Sequence, residues 1–148
     1  MNLDLLKRIQ ADQRRYGERV RPPATPEACD TLVGDVRRIF GAELPPGYLS
    51  LLRHSDGLDY AGLVVYDTCS SPDAPSHGFW QGLLAANAGW RERAALRDWL
   101  VFAEANLEVF ALHLPSGSYR RADAALPERF EVFAGFDDLI DIALLERL

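Results

Sequence analysis

The sequence contains few of the side chains that bind metals or act as nucleophiles. There are two cysteines and three histidines, and none of the histidines stands at ligand spacing from another histidine or a cysteine. Two thiols are too few for a disulfide framework. Cys29 falls on the apolar stripe of a predicted helix and Cys69 falls in a predicted loop, so we expect free thiols, no metal site and no cofactor.

The sequence also lacks long apolar runs and an obvious leader. No basic start is followed by an apolar stretch, and the longest apolar runs are too short to span a bilayer. We therefore expect a cytoplasmic protein without a membrane partner. The 148 residues, of which 48% are hydrophobic, suffice for one ordinary domain with a packed core. Nothing in the composition indicates the oligomeric state.

Catalytic motifs are missing as well. The chain has no Gly-x-Ser-x-Gly elbow, no phosphate-binding loop and no dinucleotide fingerprint. Asp137 and Asp138 stand where acids stabilise the start of a helix. Asp56 and Asp59 could serve hydrolysis or bind a cation, but no further residues make such a site specific. We predict a protein that is not an enzyme, and an enzyme with an unfamiliar site is the alternative.

Basic residues are absent from two long stretches. Residues 54–90 and 98–119 contain no Lys or Arg, whereas residues 1–21 carry six basic and three acidic side chains. The formal net charge is −6. Such a charge repels nucleic acid and favours a basic partner, although solubility alone would also explain it. The acids of the two stretches are Asp56, Asp59, Asp67, Asp73, Asp98, Glu104 and Glu108.

Hydrophobic periodicity predicts three helices in the first third of the chain. A helix over residues 3–16 belongs to a basic N-terminal segment, residues 1–21. Thr25 and Pro26 begin a second helix that ends at Gly41, and a third follows residues 44–46 and ends before Gly57. The residues expected to face the core are Leu5, Leu6, Ile9 and Tyr16, then Cys29, Leu32, Val33, Val36, Ile39 and Phe40, and finally Tyr48, Leu51 and Leu52.

The remainder of the chain is richer in strand signals. Residues 63–66 predict a short strand and residues 80–96 a helix. Strands over 99–103, 107–114, 118–122 and 130–133 follow, with tight turns at 105–106 and 115–117, before a final helix that Asp137 or a neighbour caps. Sequential strands with tight turns favour an antiparallel sheet. We predict the α+β class, with one domain over residues 1–148 and helices covering the sheet.

Two stretches carry a longer pattern. Residues 44–63 contain Leu-Pro-Pro-Gly-Tyr-Leu-Ser-Leu-Leu and then Ser-Asp-Gly-Leu-Asp-Tyr-Ala-Gly-Leu, and residues 102–119 form a predicted hairpin that closes on a Ser-Gly turn. A Pro-Pro-Ala-Thr segment at 22–25 and a Phe-x-x-Phe-x-x-Leu segment at 133–139 accompany them. Together these features resemble the SUKH superfamily, and within it the YrhA-like subgroup.

The resemblance implies a binding function. SUKH proteins are typically immunity proteins against polymorphic bacterial toxins, many of them nucleases or deaminases, and some members act in eukaryotic regulation. It therefore implies a cognate toxin as partner, one that the charge predicts to be basic, and no direct contact with nucleic acid. A non-catalytic regulatory module with an endogenous protein partner is the alternative. The predicted partner contacts are Asp56, Asp59, Tyr60, Asp67, Glu104 and Glu108, with Trp80, Trp90 or Tyr66 as aromatic anchors or core residues.

Overall fold

The helices lie where local sequence signals begin and end them. The structure, a computed structural model, describes residues 1–69 and 81–148. No helix in these two segments combines the length and apolar character needed to cross a bilayer. The helices are α1 (Leu3–Arg15), α2 (Pro26–Phe40), α3 (Pro46–His54), α4 (Leu83–Trp90) and α5 (Phe136–Leu145), with a one-turn 3₁₀ helix at Ala94–Leu96.

The second helix shows how the local signals work. The Thr25 hydroxyl accepts a hydrogen bond of 3.1 Å from the Ala28 amide, and Pro26 occupies the first helical position, where its missing N–H costs nothing. Gly41 ends the helix in the left-handed conformation, with φ of +62°. Both predicted boundaries of this helix are confirmed.

Two predicted core positions are wrong. Tyr16 is 67% exposed because α1 ends at Arg15, and the buried residue of that last turn is Gln13. Ile39 is 44% exposed near the end of α2. In both cases the helical stripe drifts away from the core at a helix end, where few neighbours are left to cover it. All three residues of α3 that were predicted to face the core are buried: Tyr48, Leu51 and Leu52.

All six strands of the described chain join one antiparallel sheet, in which they follow the order of the sequence. The α+β class and the antiparallel sheet with covering helices are therefore confirmed. The strands are β1 (Leu58–Tyr60), β2 (Leu63–Val65), β3 (Trp99–Ala105), β4 (Glu108–His113), β5 (Ser118–Asp123) and β6 (Phe130–Phe133).

Some predicted boundaries shift. Strand β1 was not predicted, and the β3–β4 turn consists of residues 106–107 instead of 105–106. The predicted helix over 80–96 is split into α4 and the 3₁₀ turn, and its first residue, Trp80, lies outside the described residues. Asp137 does not cap α5, because the N-cap position is Gly135 and has no side chain. Asp137 instead accepts from the N-terminal ammonium group of Met1, at 2.7 Å.

The two faces of the sheet carry different helices. On one face the Phe102 ring packs against Tyr48 of α3 and Phe136 of α5, each with ring centroids 5.2 Å apart. On the other face lies α4, whose buried Asn87 donates to the Val101 carbonyl at 2.8 Å and accepts from the Val101 amide at 2.7 Å. These bonds satisfy the backbone of β3 beside an irregularity in its pairing with β4. The α4 face is the face that carries the candidate site.

Candidate functional site

The pairing of β2 with β3 brings the two acidic stretches together. Val64 lies opposite Asp59 of β1 on one side and opposite Glu104 of β3 on the other. Residues directly opposite each other share a face of the sheet, and two strand spacings separate the two acids by about 10 Å. Within the described residues, neither carboxylate belongs to an ion pair. Two acids without an ion pair therefore share one face of the sheet, with one strand between them.

The Glu104 carboxylate is oriented by Tyr66, which Trp90 holds in turn. The Tyr66 hydroxyl donates to Glu104 Oε2 and accepts from the indole N–H of Trp90, at 2.7 Å. Tyr66 is fully buried, and its carbonyl accepts from the Tyr48 hydroxyl at 2.7 Å. Burial, and next the hydrogen bond to Glu104, raise the pKa of the Tyr66 phenol far above its usual value. The phenol therefore stays protonated and keeps orienting the carboxylate.

A cavity of about 380 Å³ adjoins Glu104. Trp90, Ala105 and Ala124 supply apolar wall, and Leu107 stands at its rim. The cavity lies between the end of α4 and the tip of the β3–β4 hairpin, and its lining includes Glu104, which shares a face of the sheet with Asp59. A carboxylate, an aromatic ring and apolar wall thus meet in one concave region, as is common for binding sites.

The tip of this hairpin has an unusual residue. Asn106 and Leu107 both adopt positive φ, +49° and +67°, as a two-residue primed turn requires. Glycine or asparagine normally takes such positions, because a Cβ atom costs about 1–2 kcal/mol in the left-handed region. The Leu107 side chain is 84% exposed, so packing inside the chain does not repay this cost. The sequence predicts the turn at 105–106 and a strand from residue 107, so this strained, exposed leucine is visible only in the folded chain, and such strain is characteristic of functional sites.

Glu108 lies beside the same cavity but is neutralised. It forms an ion pair with Arg121, whose Nη1 lies 2.8 Å from Oε1 of Glu146, the residue that follows α5. Arg121 follows the second acidic stretch in the sequence. The register between β4 and β5 places it close to Glu108, which belongs to that stretch. Glu108 therefore contributes shape more than net charge to the cavity wall.

Asp56 and Asp67 belong to a separate cluster, which we name the Arg21 junction: Arg21, Asp56, Gly57, Asp67 and Thr68. Arg21 lies 3.1 Å from Asp67 Oδ2 and donates to the Asp56 carbonyl at 2.8 Å. The Thr68 amide donates to Asp56 Oδ1 at 2.9 Å. Asp67 is only 3% exposed. The acidic contact surface expected across residues 54–73 is therefore not of uniform negative sign in its described part, because Arg21 enters it and both acids serve the fold.

Tyr60 also has a partner inside the chain. Its hydroxyl donates to Asp12 of α1, and this hydrogen bond is the main reason why the pKa of Tyr60 rises to about 12. Tyr60 is 9% exposed, so little of it remains for a partner. Of the six predicted contacts, the structure leaves Asp59 and Glu104 as neighbouring unpaired acids. Asp73, His77 and Trp80 lie outside the described residues.

The Arg21 junction gives a testable pH dependence. Burial raises the pKa of Asp67, while the Cys69 amide and Arg21 lower it and Asp56 raises it further; the net direction is upward from 3.8. The folded state then binds this proton more tightly than the unfolded state, so Asp67 lowers the stability as pH rises from about 3.8 through its folded pKa. In urea unfolding across this pH range, the free energy of unfolding of the native protein should fall relative to that of Asp67→Asn as the pH rises. A difference that is flat with pH would contradict it.

Comparisons with known proteins do not indicate a function for the chain. No protein-family model matches the chain, and the search of curated proteins finds no significant match. Over the described segments, no three side chains from His, Cys, Asp and Glu are grouped so that they could hold a metal ion. The described residues place two acids without an ion pair, Asp59 and Glu104, on one face of the sheet, and Trp90 and the exposed Leu107 line the cavity beside Glu104.

Proposed function

We propose that the protein is an immunity protein of the SUKH kind, which binds a basic toxin in the cytoplasm and neutralises it. The observation that carries this proposal is the juxtaposition of Asp59 and Glu104 on one face of the sheet, without a counter-charge from the described residues. Such acids raise the rate of encounter with a basic protein. We call the surface formed by Asp59, Glu104, Trp90 and Leu107 the acidic face.

The residues that resemble the family motif support a scaffold role. Tyr48 is fully buried, and its hydroxyl donates to the backbone carbonyl of Tyr66, the residue that follows β2. Gly57 and Gly62 have φ of +80° and +82°, which glycine adopts without strain. Tyr48, Gly57 and Gly62 of the motif thus serve the fold. Asp59 stands in the same 44–63 segment, and Glu104 and Leu107 stand in the 102–119 hairpin, so scaffold residues and residues of the acidic face alternate along the sequence.

The chemistry of the acidic face favours a protein over a small molecule. Leu107 projects into solvent beside carboxylates, and exposed apolar residues beside complementary charge are typical of protein interfaces. A nuclease toxin suits such a surface best, since the groove of a nuclease must attract phosphate. The acidic face would meet this groove, or its surroundings, with charge of the same sign as the nucleic acid.

The partner can be captured and tested for toxicity. We expect the tagged protein, incubated in lysate of the cells that encode it, to retain one main protein at low salt and to lose it as salt is raised, because exposed charges are screened. Mass spectrometry identifies this protein. Expressed alone in a laboratory strain it should stop growth, and co-expression with the present chain should restore growth.

The outcome separates the two candidate functions. A retained protein that is harmless when expressed alone would contradict the immunity proposal and would support the regulatory module with an endogenous partner. Growth arrest that co-expression does not relieve would also contradict it. A chain carrying Glu131→Lys and Asp138→Lys, two acids that are exposed and lie away from the acidic face, serves as the control and should still protect.

A further inference from the structure

We propose that the cavity beside Glu104 is a binding site for one cationic side chain, arginine or lysine, of the protein partner. The inference relies on the proposed function only for the identity of the protein that carries this side chain. The site consists of the Glu104 carboxylate, the Trp90 ring and the apolar wall beneath the tip of the β3–β4 hairpin. This site would anchor the partner on the acidic face.

The charges around the cavity leave Glu104 unmatched. Glu108 is paired with Arg121. Asp123 accepts from the Ala125 and Leu126 amides, at 2.8 and 2.9 Å, and Arg93, which also lines the cavity, forms no ion pair with Glu104. Among the described residues, Glu104 receives a hydrogen bond only from the neutral Tyr66 hydroxyl, and no cation of these residues lies within ion-pair distance of it. The missing counter-charge is the group that we assign to the partner.

The carboxylate is also prepared for such a group. Tyr66 holds Oε2, so the rotamer of Glu104 is fixed before the partner arrives and Oε1 remains as an acceptor. Tyr66 is itself fixed by Trp90. A charged hydrogen bond to an oriented acceptor loses less side-chain entropy than one to a mobile surface acid. This distinguishes Glu104 from the exposed acids elsewhere on the molecule.

The apolar wall suits the rest of a long basic side chain. Lysine and arginine bury their methylene stems along apolar surface while the charged head reaches a polar group, and a cation stacks favourably against an indole ring. The volume of about 380 Å³ is at the lower end of the usual range for ligand sites. It suits one side chain and not a folded segment, so Leu107 at the rim would contact the adjoining residues of the partner.

Titration with Nα-acetyl-L-arginine amide tests the site without any toxin. We expect the ¹H–¹⁵N resonances of the Trp90 indole and the Leu107 amide to move with a common millimolar dissociation constant. The neutral analogue, Nα-acetyl-L-glutamine amide, should leave them in place. Glu104→Gln should weaken binding by about tenfold, since it removes the charge from a charge-assisted hydrogen bond. Its amide oxygen can still accept from Tyr66, which protects the fold.

Glu131→Gln is the matched control. Glu131 is an exposed acid of β6, so the dissociation constant should not change in this variant. Equal shifts in native protein and Glu104→Gln, or shifts scattered over all surface acids, would overturn the proposed site. Shifts at Trp90 together with a harmless captured partner would overturn the immunity function and leave the site standing. A captured toxin without resonance shifts at Trp90 would overturn the proposed site and leave the immunity function standing.

Discussion

Replacing Gly57 with alanine should lower the free energy of unfolding by about 3 kcal/mol. Gly57 has φ of +80°, where an L-residue with a Cβ atom costs about 1–2 kcal/mol. The added Cβ would also stand 2.8 Å from Asp67 Cβ and 3.0 Å from the Val65 carbonyl oxygen. The first distance is shorter than real Cβ atoms show and the second is tighter than most contacts, and relieving such an overlap costs a further 1–3 kcal/mol or so.

The overlap has a consequence beyond Gly57. Asp67 is the carboxylate that Arg21 neutralises, so a displaced Asp67 would leave a buried charge with a poorer partner. Gly41→Ala is a close control, since its φ is +62° and no atom lies within 4 Å of its added Cβ. Urea unfolding should show a loss of about 1 kcal/mol there. Equal losses at both positions would show that the contact with Asp67 is unimportant.

Elements with their own start and stop signals could be predicted from the sequence. In α2 the capping hydroxyl, the first-turn proline and the terminal glycine all lie within the element or next to it, and its bounds follow from these signals. Strand β6 has the predicted bounds 130–133, because its phenylalanines and valine favour a strand whatever lies around it. Local chemistry was sufficient in both cases.

Elements that depend on distant partners could not be predicted. Strand β1 has only three residues, Leu58–Tyr60, and exists through its pairing with β2. The start of α4 has no capping side chain, and the helix is tied to β3 through Asn87, fourteen residues away from Val101. Neither contact leaves a periodic trace in the sequence. Tertiary context determined these elements.

The candidate site, too, could be predicted from the sequence only in part. The scarcity of Lys and Arg in two stretches predicts an acidic surface, and sheet pairing places two of the acids, Asp59 and Glu104, on one face. The sequence could not show that Arg21 crosses to Asp67, forty-six positions away, or that Arg121 returns to Glu108. It also could not show that Tyr66 and Trp90 orient Glu104. Whether an acid is free or paired is a property of the folded chain.

Reversing the two unpaired acids should abolish protection. We expect Asp59→Lys combined with Glu104→Lys to slow association with the captured partner by about tenfold or more at low ionic strength, because charges near an interface act chiefly on the encounter rate. Loss of the Glu104 contact should also speed dissociation. Surface plasmon resonance at several salt concentrations measures both rates, and the native protein should lose its rate advantage as salt is raised.

The control must carry the same change in net charge. Glu131→Lys with Asp138→Lys alters the total equally but places the new cations on β6 and α5, so it should associate at nearly the native rate and still protect. Circular dichroism and the melting temperature of both variants show whether they are folded. Full protection by the Asp59→Lys, Glu104→Lys variant would rule out electrostatic recognition by the acidic face. Equal slowing in both variants would mean that net charge alone steers the partner, because the position of the acids would then make no difference.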